Sequence, residues 1–200
     1  MADTPQINKS VSIQLSLGGH SFSDAMARCR TTMAAADSAV VYLATLKTTL
    51  VPAEMFDAEH ADSHLANVGY ALAVDECVVV DSSSQKGVVA LMAVAQSVIA
   101  ELSAACGGRV EYRTPLLRDE AVADGVVMHL SGDVLYVRLY VGGRLLFAET
   151  VAAQSDADVL YYLATIDEVY GIFNMYARAC GDTKRLVPLA KRLFRSVSCE

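Results

Sequence analysis

From Val134 to Val141 the chain keeps a strict period of two, with Leu135, Val137, Leu139 and Val141 on one face. A glycine-bearing turn stands at each end of this run, Gly132-Asp133 before it and Gly142-Gly143 after it. Side chains repeat every two residues only in an extended strand, and glycine accepts the positive φ that a tight reversal demands. With apolar segments at 126–131 and 144–151 on either side, the pattern predicts a three-stranded β-meander.

The first part of the chain reads in the same way. Residues 11–17 alternate, Gly18-Gly19 follows as a hairpin turn, 21–28 is the returning strand and 39–46 a third strand. Pro52 then opens a helix that runs to about Asn67, where Gly69 helps to end it. Strands at 77–80 and 87–92 flank the polar turn 81–86, and a helix carries Leu91, Ala95, Val98 and Leu102 on one face before Gly107-Gly108. A short strand at 110–112 closes this half. After the second meander, Ser155 and Asp158 form a capping-box pattern for a helix that buries Val159, Leu163, Ile166 and Val169 or Tyr170. A strand at 172–179 and a last helix bearing Leu186, Leu189 and Leu193 complete the pattern. The two halves thus share one order of meander, helix and further strand, and residues 11–16 resemble 126–131, which points to a duplication. The expected division is a disordered N-terminus over 1–10, a first lobe over 11–122 and a second, shortened lobe over 123–200, packed together because no low-complexity linker separates them.

Composition excludes several classes. Hydrophobic residues make up 54% of the 200 and charged residues 20%, too apolar for a disordered chain. No apolar run approaches the roughly 20 residues that span a bilayer, and residues 1–10 carry no apolar signal-peptide segment. The expectation is a cytoplasmic protein with no membrane span. A net charge of -7 sets a field that repels nucleic acid in general. The five cysteines, Cys29, Cys77, Cys106, Cys180 and Cys199, are widely spaced without a CxxC pair and read as reduced thiols.

Three segments carry a family resemblance. Lys47-Thr48-Thr49-Leu50-Val51-Pro52 followed by Phe56, then Thr114-Pro115-Leu116-Leu117, then Asp158 to Leu163 are similar to segments of an uncharacterised bacterial, Bacteroidetes-type family, a domain of unknown function. The similarity runs from about Val11 to about Leu193. It implies an α/β chain with the actin-like ATPase fold: duplicated ribonuclease H-like lobes, each a β-meander followed by helix and further strand, facing a cleft. It implies no established activity, and it implies one more strand or helix at the C-terminus than the sequence marks.

ATPases of this architecture hold nucleotide in the first hairpin of each lobe, with an Asp at the end of each first strand for magnesium and water. Glycine turns present backbone N–H groups to phosphate. Here those turns contain Gly18, Gly19, Gly132 and Asp133, the residues that would hold a nucleotide cofactor. Ser16 and Ser131 stand near where the two Asp residues are wanted, and a glycine-rich adenine turn late in the chain has no counterpart beyond Gly181. The expected function is therefore a non-catalytic scaffold or binding module with no cofactor and no catalytic residue, taking a protein partner or associating with itself. The alternatives are a nucleotide-binding enzyme with atypical phosphate loops, and an anionic or nucleic-acid partner docked on the basic C-terminal helix through Lys184, Arg185, Lys191, Arg192 and Arg195.

Other clusters favour plain structural roles. His60 and His64 lie four apart near Asp57, Glu59 and Asp62, but no HExxH glutamate or third ligand accompanies them. Ser82-Ser83-Ser84 lacks a nucleophile-elbow pattern. Of Asp156, Asp158, Asp167 and Glu168 on one helix, the first two read as favourable charges at its N-terminus.

Overall fold

The computed structural model describes residues 10–17, 22–83, 87–105, 107, 109–118 and 122–199, without the side chains of Phe22 and Ser23. The first strand, β1 (Ser10–Ser16), does not turn back on itself. It leads to helix α1 (Phe22–Ala34), and β2 (Ser38–Ala44) returns parallel to β1, with Ile13 opposite Val41. The strand expected at 21–28 is therefore a helix. Met26, Cys29 and Met33 stand at i, i+3 and i+7 and form its buried stripe. A parallel pair needs a crossover, which no two-residue hairpin supplies. Gly18 and Gly19 themselves lie outside the described residues.

Strand β3 (Thr48–Pro52) follows, so Pro52 ends a strand rather than opening a helix. Two 3₁₀ turns, Ala53–Met55 and Ala58–His60, precede a helix α2 that covers only Ala61–Asn67. The hairpin β4 (Glu76–Asp81) and β5 (Val88–Ala95) forms as expected, but β5 takes Leu91 and Ala95. Helix α3 (Gln96–Ala105) starts only after them, burying Val98 and Leu102, and β6 (Val110–Arg113) ends the half. The strands make two sheets, parallel β1-β2-β6 and antiparallel β3-β5-β4. One core joins them: Leu15, Val41 and Leu43 meet Val79, Met92 and Val94 beneath α1 and α3.

In the second half the meander β7 (Gly125–Ser131), β8 (Val134–Val141) and β9 (Arg144–Ala152) forms as its alternation predicts. Helix α4 (Asp156–Tyr170) starts on the complete Ser155–Asp158 capping box. A 3₁₀ turn over Ile172–Asn174 delays the next strand, β10 (Tyr176–Gly181). Helix α5 (Thr183–Ala190) then leads to β11 (Ser196–Cys199), a strand the alternation did not mark. The sheet order is β11-β10-β7-β8-β9, with β10 parallel to both neighbours. The halves thus differ in element order: the first opens with strand, helix, strand and the second with a meander.

One face of this sheet packs on α4 and α5 through Val126, Met128, Val159, Leu163 and Leu186. Its other face lies on the first half, where Tyr136 packs on Ala44 and Leu116. Among the described residues no helix is long and apolar enough to cross a membrane.

Candidate functional site: the cleft between the halves

Strands β1 and β7 end side by side. Ser16 Oγ and Ser131 Oγ, the last hydroxyls of the two strands, lie 2.5 Å apart, and Gln14 Nε2 donates to Ser131 Oγ at 2.9 Å. The chain turns immediately after Ser131. Gly132 has φ of +58°, and a Cβ placed there would sit 3.7 Å from Ser16. No non-glycine residue has positive φ among the described residues, so Gly132 alone of this pair takes the left-handed region. Asp133 instead accepts the Ala153 N–H on its carbonyl at 2.8 Å, fixing the turn against the end of β9.

The link between β2 and β3 forms a second wall. Thr45 O accepts the Tyr136 hydroxyl at 2.9 Å and the Thr48 hydroxyl at 2.8 Å. Burial holds the Tyr136 phenol protonated far above its ordinary range, which keeps it a donor to Thr45. Lys47 Nζ reaches Glu76 Oε2 on β4 at 2.6 Å, and the same oxygen accepts the Ala73 N–H at 2.8 Å. That backbone donor first, and the Lys47 ammonium second, hold the Glu76 carboxyl below the usual carboxylate range.

These elements enclose a cleft of about 340 Å³, within the size range of small-ligand sites. Ser16, Ser131, Gly132, Asp133, Lys47 and Glu76 all line it. Past Leu17, Thr45 and Glu76 it continues into a hollow of about 270 Å³ that ends at Ser97 and Val98 of α3. Of the four residues expected to hold nucleotide, Gly132 and Asp133 thus face the cleft, and Gly18 and Gly19 fall outside the described residues. Gly181 has a packing reason: its Cβ would lie 2.1 Å from Leu130 O, so the close approach of β10 to β7 requires glycine.

The remaining candidates are dispersed. His60 is not on the helix that carries His64. It precedes α2 and bonds Asp57 Oδ2 at 2.8 Å, while His64 lies against Phe56. Ser83 N and Oγ bond Asp81, and Ser84 lies outside the described residues. Asp158 is taken by the capping box, Asp167 accepts the Phe173 N–H, and Asp156 pairs with Arg185 at 2.8 Å. Arg185 also donates to Ala153 O, so one cation of the basic C-terminal segment is committed inside the fold.

Sequence reasoning missed Gln14, the Lys47–Glu76 pair and two buried polar residues, His129 and Arg138. Arg138 is 0% exposed and donates to Arg118 O, at the position on β8 that strict alternation assigns to solvent. Only the packing of the first half on that face reverses the assignment.

No protein-family profile and no curated protein matches the chain by sequence. Solved structures do resemble it. A Bacteroides thetaiotaomicron protein with actin-like ATPase fold and unknown function aligns at a TM-score of 0.71 and 14% identity, over 96% of this chain and 91% of that one. A chain of a PilM–PilN type IV pilus biogenesis complex aligns at 0.53 and 12% identity, over 88% of this chain and 75% of that one. By these alignments over most of its length, the chain has the actin-like ATPase fold.

Proposed function

We propose that the chain is a non-catalytic binding module on a degenerate actin-like fold, with a protein partner or a small ligand held at the cleft between its halves. The contact between Ser16 and Ser131 carries this reading. Two carboxylates at these strand ends would attract magnesium and orient water. Two neutral hydroxyls bonded to each other bring no negative charge to magnesium and no carboxylate to a water. The cleft's ammonium, Lys47, is held by Glu76, and the second carboxylate, Asp133, adds a field that repels a triphosphate. A protein partner is supported by the fold's occurrence in the PilM–PilN complex. Membership of the Bacteroidetes-type family and a division into two ribonuclease H-like lobes belong to the same proposal, supported by the likeness to the Bacteroides protein. A cytoplasmic setting is supported by the thiols of Cys29, Cys77 and Cys199, which form no disulfide among the described residues.

Thermal melting with and without magnesium ATP, repeated with ADP, tests the reading. A ligand that binds only the folded state must raise the melting temperature. The expected result is an unchanged melt, and a clear nucleotide-dependent rise overturns the proposal.

A further inference from the structure

A second hollow, of about 330 Å³, opens between β3 of the first half and β9 of the second. Among the described residues it shares no lining residue with the cleft. Its walls hold three consecutive residues of β3, Thr48, Thr49 and Leu50, and four consecutive residues of β9, 147–150. The face of a strand shows only every second residue, so consecutive residues mean that the edges of both strands border the hollow. Each is an edge strand of its sheet, and among the described residues no backbone hydrogen bond joins the two. Alternate backbone N–H and C=O groups on such an edge have no ladder partner.

The Thr150 side chain points into this space. Thr150 stands opposite Tyr136 in the ladder, Tyr136 packs on Ala44 and Leu116 of the first half, and cross-strand partners share a face. Thr150 is 6% exposed, and its hydroxyl makes no hydrogen bond among the described residues. A buried hydroxyl without a partner carries a desolvation cost that a ligand's polar group offsets. Leu50, Leu116 and Ala148 pack together as an apolar floor. Glu149, the one charged residue among the described residues that line the hollow, stands opposite Val137, on the face of β9 turned to α4.

We propose that this hollow binds a small uncharged amide that carries one apolar substituent. The amide N–H and C=O meet the strand edges and the Thr150 hydroxyl, and the substituent lies on Leu50, Leu116 and Ala148. An amide matches a strand edge because it offers the donor and acceptor of a peptide unit. The volume lies at the lower end of small-ligand sites, which limits the ligand to about the size of a blocked amino acid. The inference does not rest on the reading of the cleft.

Two-dimensional amide NMR titration of the full chain tests it. The probe is N-acetyl-leucinamide, and the comparison is isoamyl alcohol, which has the same branched tail and no amide. The amide probe is expected to shift the backbone resonances of residues 48–50 and 147–150 saturably and to bind more tightly than the alcohol. Thr150→Val keeps the shape of the side chain and removes the hydroxyl. It is expected to weaken the amide probe about five-fold with a melting temperature no lower than that of the unsubstituted chain, while Thr150→Ser keeps the affinity. The proposal is overturned if the amide probe gives no saturable shift at these residues, if the alcohol binds as tightly, or if Thr150→Val binds the amide as tightly as the unsubstituted chain. A lowered melt of Thr150→Val also overturns it, because the hydroxyl would then already be engaged. Tighter binding of the blocked peptide acetyl-Ala-Leu-Ala-Ala-amide overturns the small-ligand assignment and makes the hollow a groove for an extended segment.

Discussion

His129 on β7 is 1% exposed, and neither ring nitrogen has a hydrogen-bond partner among the described residues. The Tyr136 ring stands edge-on at 6.2 Å. Burial first, then the positive charges of Arg138 and Arg118, push the imidazole pKa down from 6.5 to about 4. The fold thus disfavours the protonated form, and the unfolded chain binds the proton more readily. Stability from this group is complete above the unfolded value and is lost as pH falls from 6.5 to about 4, a loss of about 3 kcal/mol. His129→Leu removes two buried, unsatisfied nitrogens and the titration with them. Urea unfolding at a series of pH values should show the variant at least as stable at neutral pH, by up to about 2 kcal/mol. Between pH 7 and 4 its stability should fall less than that of the unsubstituted chain, and parallel curves would exclude His129 as the source.

Among elements, β10 shows how one residue type admits a strand. Gly181 has φ of +78°, and its missing Cβ leaves room for Leu130 O. Asp182 N then donates to that same oxygen at 2.8 Å, so the strand's end and the start of α5 are set by one contact. Gly181→Ala combines positive-φ strain with a backbone clash, and it is expected to cost about 2–4 kcal/mol, read as a lower urea midpoint at unchanged slope. Helix α1 was legible in the spacing of Met26, Cys29 and Met33. The alternation of β1 followed by two glycines is an equally good local signal for a hairpin, and a local signal cannot reveal that β2 lies parallel to β1. The Ser155 capping box and the β7–β8–β9 meander were read correctly because their stabilising contacts lie close in sequence.

Across the whole molecule, the face of β8 that bears Tyr136 and Arg138 joins the halves. Tyr136 is 0% exposed, packs on Ala44 and Leu116 and bonds Thr45 O. Such an interface makes the halves unfold together. Far-ultraviolet circular dichroism and tyrosine fluorescence should report one coincident urea transition. Tyr136→Ala should lower stability by about 3–5 kcal/mol, and transitions that already separate in the unsubstituted chain would show the halves to be independent. The cleft depends on the same docking, since Ser16 and Ser131 are 115 positions apart and meet only when the halves pack. By itself the sequence determined the second-half meander, the capped helix α4 with Val159, Leu163 and Ile166 on its buried face, and the serines at the ends of β1 and β7, because neighbouring residues and periodicity encode these. Tertiary structure alone decided the parallel pairing of β1, the burial of Arg138 and His129, and the carboxylates that line the cleft. Each of these depends on which surface covers a residue, and periodicity records only which way a side chain points.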